Sequence, residues 1–120
     1  MSNFTLTPTE TKFAELIWSN EPLTSAKLIE LSADEMNWKK STTFTVLKKL
    51  CEKGIFKNEN SVVSSILDRE QYYSAHSRRY VEDAFDGSLP KFLAAFTHES
   101  KLSESQLEEL RQLIEAHKED

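Results

Sequence analysis

The sequence predicts a mainly α-helical protein with one small β-hairpin: three short helices, then the hairpin, then three further helices. Apolar residues recur at helical spacings of three and four along most of the 120 residues. Threonine or serine stands as a helix cap at Thr7, Thr24 and Ser103. A stretch rich in β-branched and aromatic residues interrupts the helical pattern. The length suits one compact domain, or a small domain with a dimerisation tail.

Charge and cysteine content narrow the class of protein. The net charge of −5 and the pI near 5.3 argue against a protein that coats nucleic acid indiscriminately. The single cysteine, Cys51, fits a reducing compartment; we expect a buried structural thiol, with a redox sensor as the alternative. The sequence has no apolar run of about 18 residues and no N-terminal signal pattern. We therefore expect a cytoplasmic protein.

The first two helices are predicted from their start and stop signals. Thr7–Glu10 places a threonine cap before a proline, with a glutamate that can reach back to the cap. This helix has an apolar face around Ile17 and ends before Pro22, because the residue preceding a proline disfavours helix. A very short strand is expected at Leu23, and a second helix at Thr24–Glu35.

The most informative stretch, Trp38–Gly54, predicts a basic third helix. Its buried face is expected to hold four residues at i, i+3, i+4 and i+7: Thr43, Val46, Leu47 and Leu50. Gly54 ends the helix, as a residue that adopts a left-handed conformation without strain. From Trp38 to Lys57 six lysines oppose one acid, which gives +5 within a chain of −5. A stretch of strong positive charge within a negatively charged chain indicates a binding site for an anion.

A hairpin with a long loop is predicted after the basic helix. Residues 55–60 and 71–75 are rich in β-branched and aromatic residues, and residues 61–70 would connect them as the loop. Three helices followed by a hairpin is the order of a winged helix-turn-helix, which we assign to residues 1–75. Arg69 would lie at the tip of the wing, beside a DNA backbone; a solvated loop arginine is the alternative.

The exposed face of the basic helix is predicted to bind DNA. In a helix-turn-helix the N-terminal part of the second helix enters the major groove. Serine and threonine there bond to base edges, and an aromatic ring contacts a thymine methyl. The predicted DNA-binding residues are Lys39, Lys40, Ser41, Thr42, Phe44, Thr45, Lys48, Lys49 and Arg69. The alternative is that these lysines form only a solvated face.

Residues 76–120 are predicted to form three amphipathic helices that dimerise. They follow a complete small domain, so their apolar faces have little of their own to pack against. The expected interface residues are Phe85, Leu89, Phe92, Leu93, Phe96, Leu107, Leu110, Leu113 and Ile114. The alternative is that these helices fold back onto the winged domain of the same chain.

No catalytic or cofactor chemistry is predicted. The three histidines are far apart and lack a second ligand at metal-binding spacing. Two glycines in the whole chain cannot make a phosphate-binding loop. We therefore expect no metal, no small-molecule cofactor and no enzymatic activity.

Five motifs occur in order along the chain: LTPTETKFAELIW at 6–18, the pattern W-x(3)-T-x(2)-T-x-L-x(2)-L-x(3)-G at 38–54, QYYS at 71–74, FLAAFTHESKLS at 92–103 and LEELRQLI at 107–114. Together they resemble the penicillinase-repressor (BlaI/MecI) family of bacterial transcriptional regulators. The resemblance implies a homodimer whose N-terminal winged helices bind a palindromic operator in double-stranded DNA. It also implies a C-terminal dimer interface.

The resemblance further implies how repression ends and where this chain departs from the family. A membrane-embedded sensor metalloprotease system would cause cleavage between an asparagine and a phenylalanine, positions matched in this chain by Ala95 and Phe96. Lys40 stands where the family usually has a proline, and Phe44 where it usually has a basic residue. We therefore expect a different operator sequence.

Two functional hypotheses follow from the sequence. The leading one is a dimeric, sequence-specific DNA-binding repressor. The alternative is a winged-helix module that dimerises through its tail but binds an acidic protein partner, as suggested by the acidic total charge and the exposed Phe44.

Overall fold

The computed structural model describes residues 5–118 and confirms a mainly α-helical fold with a small antiparallel sheet. The elements are α1 Pro8–Asn20, β1 Leu23–Thr24, α2 Ser25–Met36, α3 Lys40–Glu52, β2 Phe56–Glu59, β3 Val62–Ser65, α4 Arg69–Phe85, α5 Leu89–Thr97 and α6 Glu104–Ala116. The three strands lie in the order β1-β3-β2. A helix long and apolar enough to cross a membrane is not found among the described residues.

The predicted helix caps are present. In α1 the Thr7 hydroxyl accepts from the backbone N–H of Glu10 at 3.1 Å, and the Glu10 carboxylate accepts from the backbone N–H of Thr7 at 2.9 Å. Ser103 and Gln106 make the same reciprocal pair at the start of α6. The Thr24 hydroxyl caps α2. These side chains satisfy backbone donors that have no partner inside a helix.

The hairpin differs from the prediction. Strands β2 and β3 pair in antiparallel register, with Phe56 opposite Ser65, and only Asn60 and Ser61 connect them. Both turn residues have positive φ, 54° and 63°, as a tight two-residue hairpin turn requires. The predicted loop 61–70 and the predicted second strand 71–75 are therefore wrong, since residues 71–75 lie within α4.

The physical reason is a helix start at Asp68 that overrides the strand propensity of the tyrosines. The Asp68 carboxylate accepts from the backbone N–H of Gln71 at 2.8 Å, and the Gln71 side chain accepts from the backbone N–H of Asp68 at 2.9 Å. Tyr72 is buried from this helix and accepts the backbone N–H of Leu6 at 3.2 Å. Tertiary packing thus decides against β-propensity, which is strongly context-dependent.

The hydrophobic core lies between the first three helices and the sheet. Trp18 contacts the rings of Phe56, Tyr72 and Tyr73, and its indole N–H donates to the Leu67 carbonyl at 3.0 Å. The buried hydrophobic residues of the described chain are Leu6, Phe13, Ala14, Ile17, Trp18, Leu23, Leu28, Leu47, Leu50, Ile55, Phe56, Val63 and Tyr72. This core fixes α3 to the rest of the winged helix.

The chain divides into two compact units, the first ending at Ser77 and the second beginning at Arg78. All of the buried hydrophobic residues of the described chain belong to the first unit. In the second unit, α5 and α6 bury no residue. Its internal packing includes ring contacts of Phe92 with Tyr80, Phe85 and Phe96 at 5.6–6.2 Å.

Candidate nucleic-acid interface

The turn between α2 and α3 sets the start of the basic helix. Asn37 adopts the left-handed conformation at φ 56°, and its backbone N–H donates to the carbonyl of Ser32. The backbone N–H of Trp38 donates to the same carbonyl at 3.3 Å. The Trp38 ring packs on Phe13 with ring centroids 5.1 Å apart. The helix therefore begins at a position anchored to α1 and α2.

The buried face of α3 agrees with the sequence prediction. Thr43, Leu47 and Leu50 are buried, and Val46 is half-buried against the core. The Thr43 hydroxyl donates to the Lys39 carbonyl at 3.2 Å, which satisfies this buried polar group. The opposite side of the helix is consequently exposed.

Four lysines on and before α3 are exposed and form no ion pair within the described part of the chain: Lys39, Lys40, Lys48 and Lys49. The other two lysines of the basic stretch differ from them. The Lys53 ammonium lies 3.0 Å from the Glu10 carboxylate and donates to the Thr5 carbonyl, and Lys57 lies 3.5 Å from Glu59. Within the basic stretch, the positive charge available to an external anion is thus concentrated on the four predicted lysines.

The N-terminus of α3 also suits an anion. Lys39 at the cap position makes no side-chain capping bond, and the first turn holds no acidic residue. The first backbone N–H groups of a helix have no partner inside the helix, and the helix dipole is positive at this end. A phosphate oxygen placed there would meet both these donors and the ammonium groups of Lys39 and Lys40.

The hydroxyls on the exposed face have defined hydrogen-bonding roles. Ser41, Thr42 and Thr45 are all exposed. The Thr45 hydroxyl donates to the Ser41 carbonyl at 2.9 Å, which leaves its oxygen free to accept a hydrogen bond from outside. The hydroxyls of Ser41 and Thr42 bond to nothing within residues 5–118, so each can donate or accept.

Phe44 lies beside the hydroxyl-bearing face, on the flank of α3 that faces β2. It is half-buried, packs against the core and lines a cleft of about 580 Å³ between α3 and β2. Ile66 and Cys51 line the same cleft. Burial, with a smaller contribution from the Glu52 carboxylate, raises the pKa of the Cys51 thiol. The thiol is half-buried and stays protonated near neutral pH, as a structural cysteine does.

The structure places Arg69 away from the tip of the wing. It is the first residue of α4, and its guanidinium donates to the Glu15 carboxylate at 2.6 and 2.8 Å and to the Ser19 hydroxyl at 3.1 Å. The predicted wing-tip position is therefore wrong, because the hairpin turns at Asn60 and Ser61. The contact with Glu15 raises the pKa of Arg69.

Two features of this unit are missed by sequence reasoning. One is the Glu10–Lys53 ion pair, which joins the start of α1 to the end of α3. The backbone N–H of Thr7, and then Lys53, lower the pKa of Glu10. The other is the position of Ile66 beside α3, because the sequence prediction places this residue in a long loop. In the structure Val62 and Ile66 face outward and Val63 is buried. Such alternation is typical of a strand, and it is the sequence signal that could have placed Ile66 directly after the hairpin.

The residues predicted for the dimer interface lie on the last three helices and are all at least partly exposed. Exposed hydrophobic residues there are Leu89, Phe96, Leu107, Leu113 and Ile114. Half-buried ones are Phe85, Phe92, Leu93 and Leu110. Open apolar grooves of about 530 and 710 Å³ run along α5 and α6. Ala95 and Phe96, the predicted cleavage position, lie within α5 and are exposed.

Comparison with known proteins agrees with the resemblance drawn from the motifs. The family profile described as penicillinase repressor matches residues 6–116. The penicillinase repressor of Bacillus licheniformis is 23% identical over 113 residues, which cover 91% of this chain and 88% of that protein. The methicillin resistance regulatory protein MecI of Staphylococcus aureus strain N315 is 20% identical over 115 residues, which cover 92% of this chain and 94% of that protein. The match spans most of both units, and the chain belongs to the penicillinase repressor family.

Proposed function

We propose that this protein is a homodimeric transcriptional repressor that binds a palindromic operator through α3 of each copy. The observation that carries the proposal is the exposed face of α3, where unpaired lysines surround hydroxyls that can reach base edges. The membership of the penicillinase repressor family supports it. Phosphate contacts would supply affinity, and the hydroxyls would supply sequence preference.

The assignment of roles follows from side-chain chemistry. Lys39, Lys40, Lys48 and Lys49 would neutralise phosphates, since they are exposed and unpaired within the described residues. Thr45 would act as an acceptor, because its hydrogen is bonded to Ser41. The amino groups of adenine and cytosine are the donors that the major groove offers to such an acceptor.

Dimerisation is proposed from the second unit. Neither α5 nor α6 buries a residue, although each carries an apolar stripe of Leu, Phe or Ile. Contiguous exposed apolar surface is uncommon in monomers and marks an interaction site. A second copy would cover the same stripes on both chains, as a two-fold interface requires. The two α3 helices would then present the symmetry of a palindromic operator.

The proposal is tested by fluorescence anisotropy with the DNA upstream of the protein's own gene, and with duplexes selected from a random pool. We expect site-specific binding whose affinity falls steeply with salt, because counterions are released from the phosphates. Absence of specific binding at low salt would overturn the proposal and favour a winged-helix module that binds an acidic protein.

Two matched variants separate the assigned roles. Thr45→Ala should reduce discrimination between the operator and single-base variants by about 1–3 kcal/mol at one position. Lys49→Ala should weaken binding to all sequences alike and lower the slope of affinity against salt by about one. Lys118→Ala is the control, because Lys118 lies beside Glu115 in the second unit and is assigned no phosphate. Unchanged affinity of both variants would contradict the base-reading role of Thr45 and the phosphate-binding role of Lys49.

The release of repression by cleavage between Ala95 and Phe96 stays a prediction. A cut there would fall within α5, leave Phe96 and Thr97 attached to α6, and so divide the apolar surface assigned to the dimer. The protein would be co-expressed with a membrane-embedded sensor metalloprotease of the kind that the resemblance implies. The expected result is a fragment that ends at Ala95, detected by mass spectrometry. An intact chain under inducing conditions would contradict this route.

A further inference from the structure

A cleft lies between α3 and β2, next to the exposed lysines of α3. Part of its surface is apolar. Its deep end is formed by Leu47 and Phe56, which are buried, and its walls by Phe44 and Ile66. The rest of its lining is mostly polar and consists of Lys48, Cys51, Lys57, Asn58 and Glu59. The volume is about 580 Å³. Phe44 and Lys48 of its lining lie three residues from Ser41 and Thr45, respectively, and therefore adjoin the hydroxyl-bearing face of α3.

Ile66 is held firmly at the mouth of this cleft although it is exposed. Its backbone N–H donates to the Ile55 carbonyl at 2.8 Å, and the next residue, Leu67, donates to the same carbonyl at 3.0 Å. Its side chain is nevertheless 53% exposed. Because its backbone is fixed in this way, only the rotamers of the Ile66 side chain remain to be ordered on binding.

The chemistry of the expected occupant follows from the surroundings of the cleft. The unpaired lysines of α3 make the region favourable for a polyanion. The polar end of the cleft holds the Lys57–Glu59 ion pair and Asn58, while the side formed by Phe44 and Ile66 favours an apolar group. The major-groove edges of DNA present hydrogen-bonding groups and one apolar group, the C5 methyl of thymine. Thymine within a duplex satisfies both conditions.

We propose that the cleft takes the 5-methyl group of an operator thymine between Phe44 and Ile66. This inference rests on the proposed function and deepens it. It extends the thymine contact expected of Phe44 and assigns a specificity-determining role to Ile66, a residue outside α3. Lys48, at the edge of the cleft, would hold a phosphate near the same nucleotide.

The test replaces single thymines of the selected operator with deoxyuridine, which lacks only the methyl group. We expect about fourfold weaker binding at one thymine position of each half-site, the factor expected for burial of one methyl group. Ile66→Ser should bind the thymine and deoxyuridine duplexes with equal affinity at that position. Ile66 is the residue of choice, because Phe44 packs against the core and its truncation endangers folding.

Val62→Ser is the matched control. Val62 is an exposed apolar residue on β3 that does not line the cleft, so this variant should keep the fourfold preference for thymine. Thermal unfolding followed by circular dichroism verifies that both variants fold.

The outcomes separate this inference from the proposed function. If the protein binds its operator specifically but no deoxyuridine substitution lowers the affinity, the methyl contact is overturned and the proposed repressor function is unaffected. If Ile66→Ser weakens binding to the thymine and deoxyuridine duplexes by the same factor, so that the fourfold preference for thymine remains, Ile66 does not contact the methyl group and the inference is overturned. Failure to select any operator would overturn both proposals.

Discussion

The two units use the same kinds of apolar residue and bury them to opposite extents. In the first unit, Leu50 of α3 is fully buried beneath α1, α2 and the sheet. In the second unit, Leu107 of α6 is 53% exposed, and Leu113 of the same helix is 56% exposed. Both sets of residues follow helical spacing in the sequence. Periodicity therefore predicts that a helix has an apolar face, but not what covers that face.

The difference in burial indicates that the two units have different roles. The first unit has a core of its own and presents α3 in a fixed orientation. The second unit lacks buried residues within α5 and α6, which is expected of a segment whose core is completed by another chain. Changes in the two units should consequently be detected by different measurements.

The largest expected effect is the loss of the dimer on introducing a charge into the second unit. Leu113→Asp would bury a carboxylate without a partner at the proposed interface, and should raise the dimer dissociation constant about a hundredfold or more. Analytical ultracentrifugation measures the mass in solution and thus the fraction of dimer. The affinity for the operator should fall as the dimer is lost. Gln112→Asp adds the same charge at the neighbouring exposed position and should remain dimeric. If the Leu113→Asp protein remained dimeric, the apolar face of α6 would not form the dimer interface, contrary to the proposed difference between the units.

An effect of comparable size, on folding as well as on dimerisation, is expected from one matched truncation in each unit. Leu50→Ala should lower the free energy of unfolding of the winged helix by about 2–5 kcal/mol, through lost burial and a cavity. Leu107→Ala should leave that transition unchanged and weaken only dimerisation. Urea unfolding followed by tryptophan fluorescence reports on the first unit, since both tryptophans of the chain, Trp18 and Trp38, lie in it. Equal losses in both variants would contradict separate stabilisation of the units.

A stabilising change is expected inside the core of the first unit. The Ser32 hydroxyl on α2 is fully buried and has no hydrogen-bond partner within the described chain. Ser32→Ala removes this unsatisfied group and should raise the free energy of unfolding by about 1 kcal/mol. Ser74→Ala provides a comparable gain in helix propensity at an exposed position of α4 within the first unit, so it measures that contribution alone. A destabilised Ser32→Ala protein would show that the hydroxyl has a partner in solution.

The sequence is sufficient for the elements whose signals are local. The caps at Thr7, Thr24 and Ser103 predict the starts of three helices, and the stripe of α3 predicts its buried face. The hairpin prediction fails because two tyrosines favour a strand, whereas the capping pair Asp68 and Gln71 places them in a helix. The local helix start is present in the sequence, and it outweighs the β-propensity of the residues that follow it.

The site is predictable only where one helix determines it. Exposure of Ser41, Thr42 and Thr45 follows from the helical period alone. The surroundings of Phe44 depend on Ile66, which follows the hairpin and reaches the cleft only through the register of β2 and β3. Contacts of this kind require the fold, and a long loop in place of the tight turn would remove them.

The smallest expected effect tests the corrected position of Arg69, where the first turn of α4 meets α1. Its pair with Glu15 is partly exposed, and such pairs contribute about 0.2–1 kcal/mol to stability. Arg69→Gln should therefore cause a small loss of thermal stability and no change in the slope of operator affinity against salt. Glu15→Gln is the matched control from the other side of the pair and should lose a similar amount. A salt slope lowered by about one in Arg69→Gln, but not in Glu15→Gln, would show that Arg69 contacts a phosphate despite its distance from the wing tip.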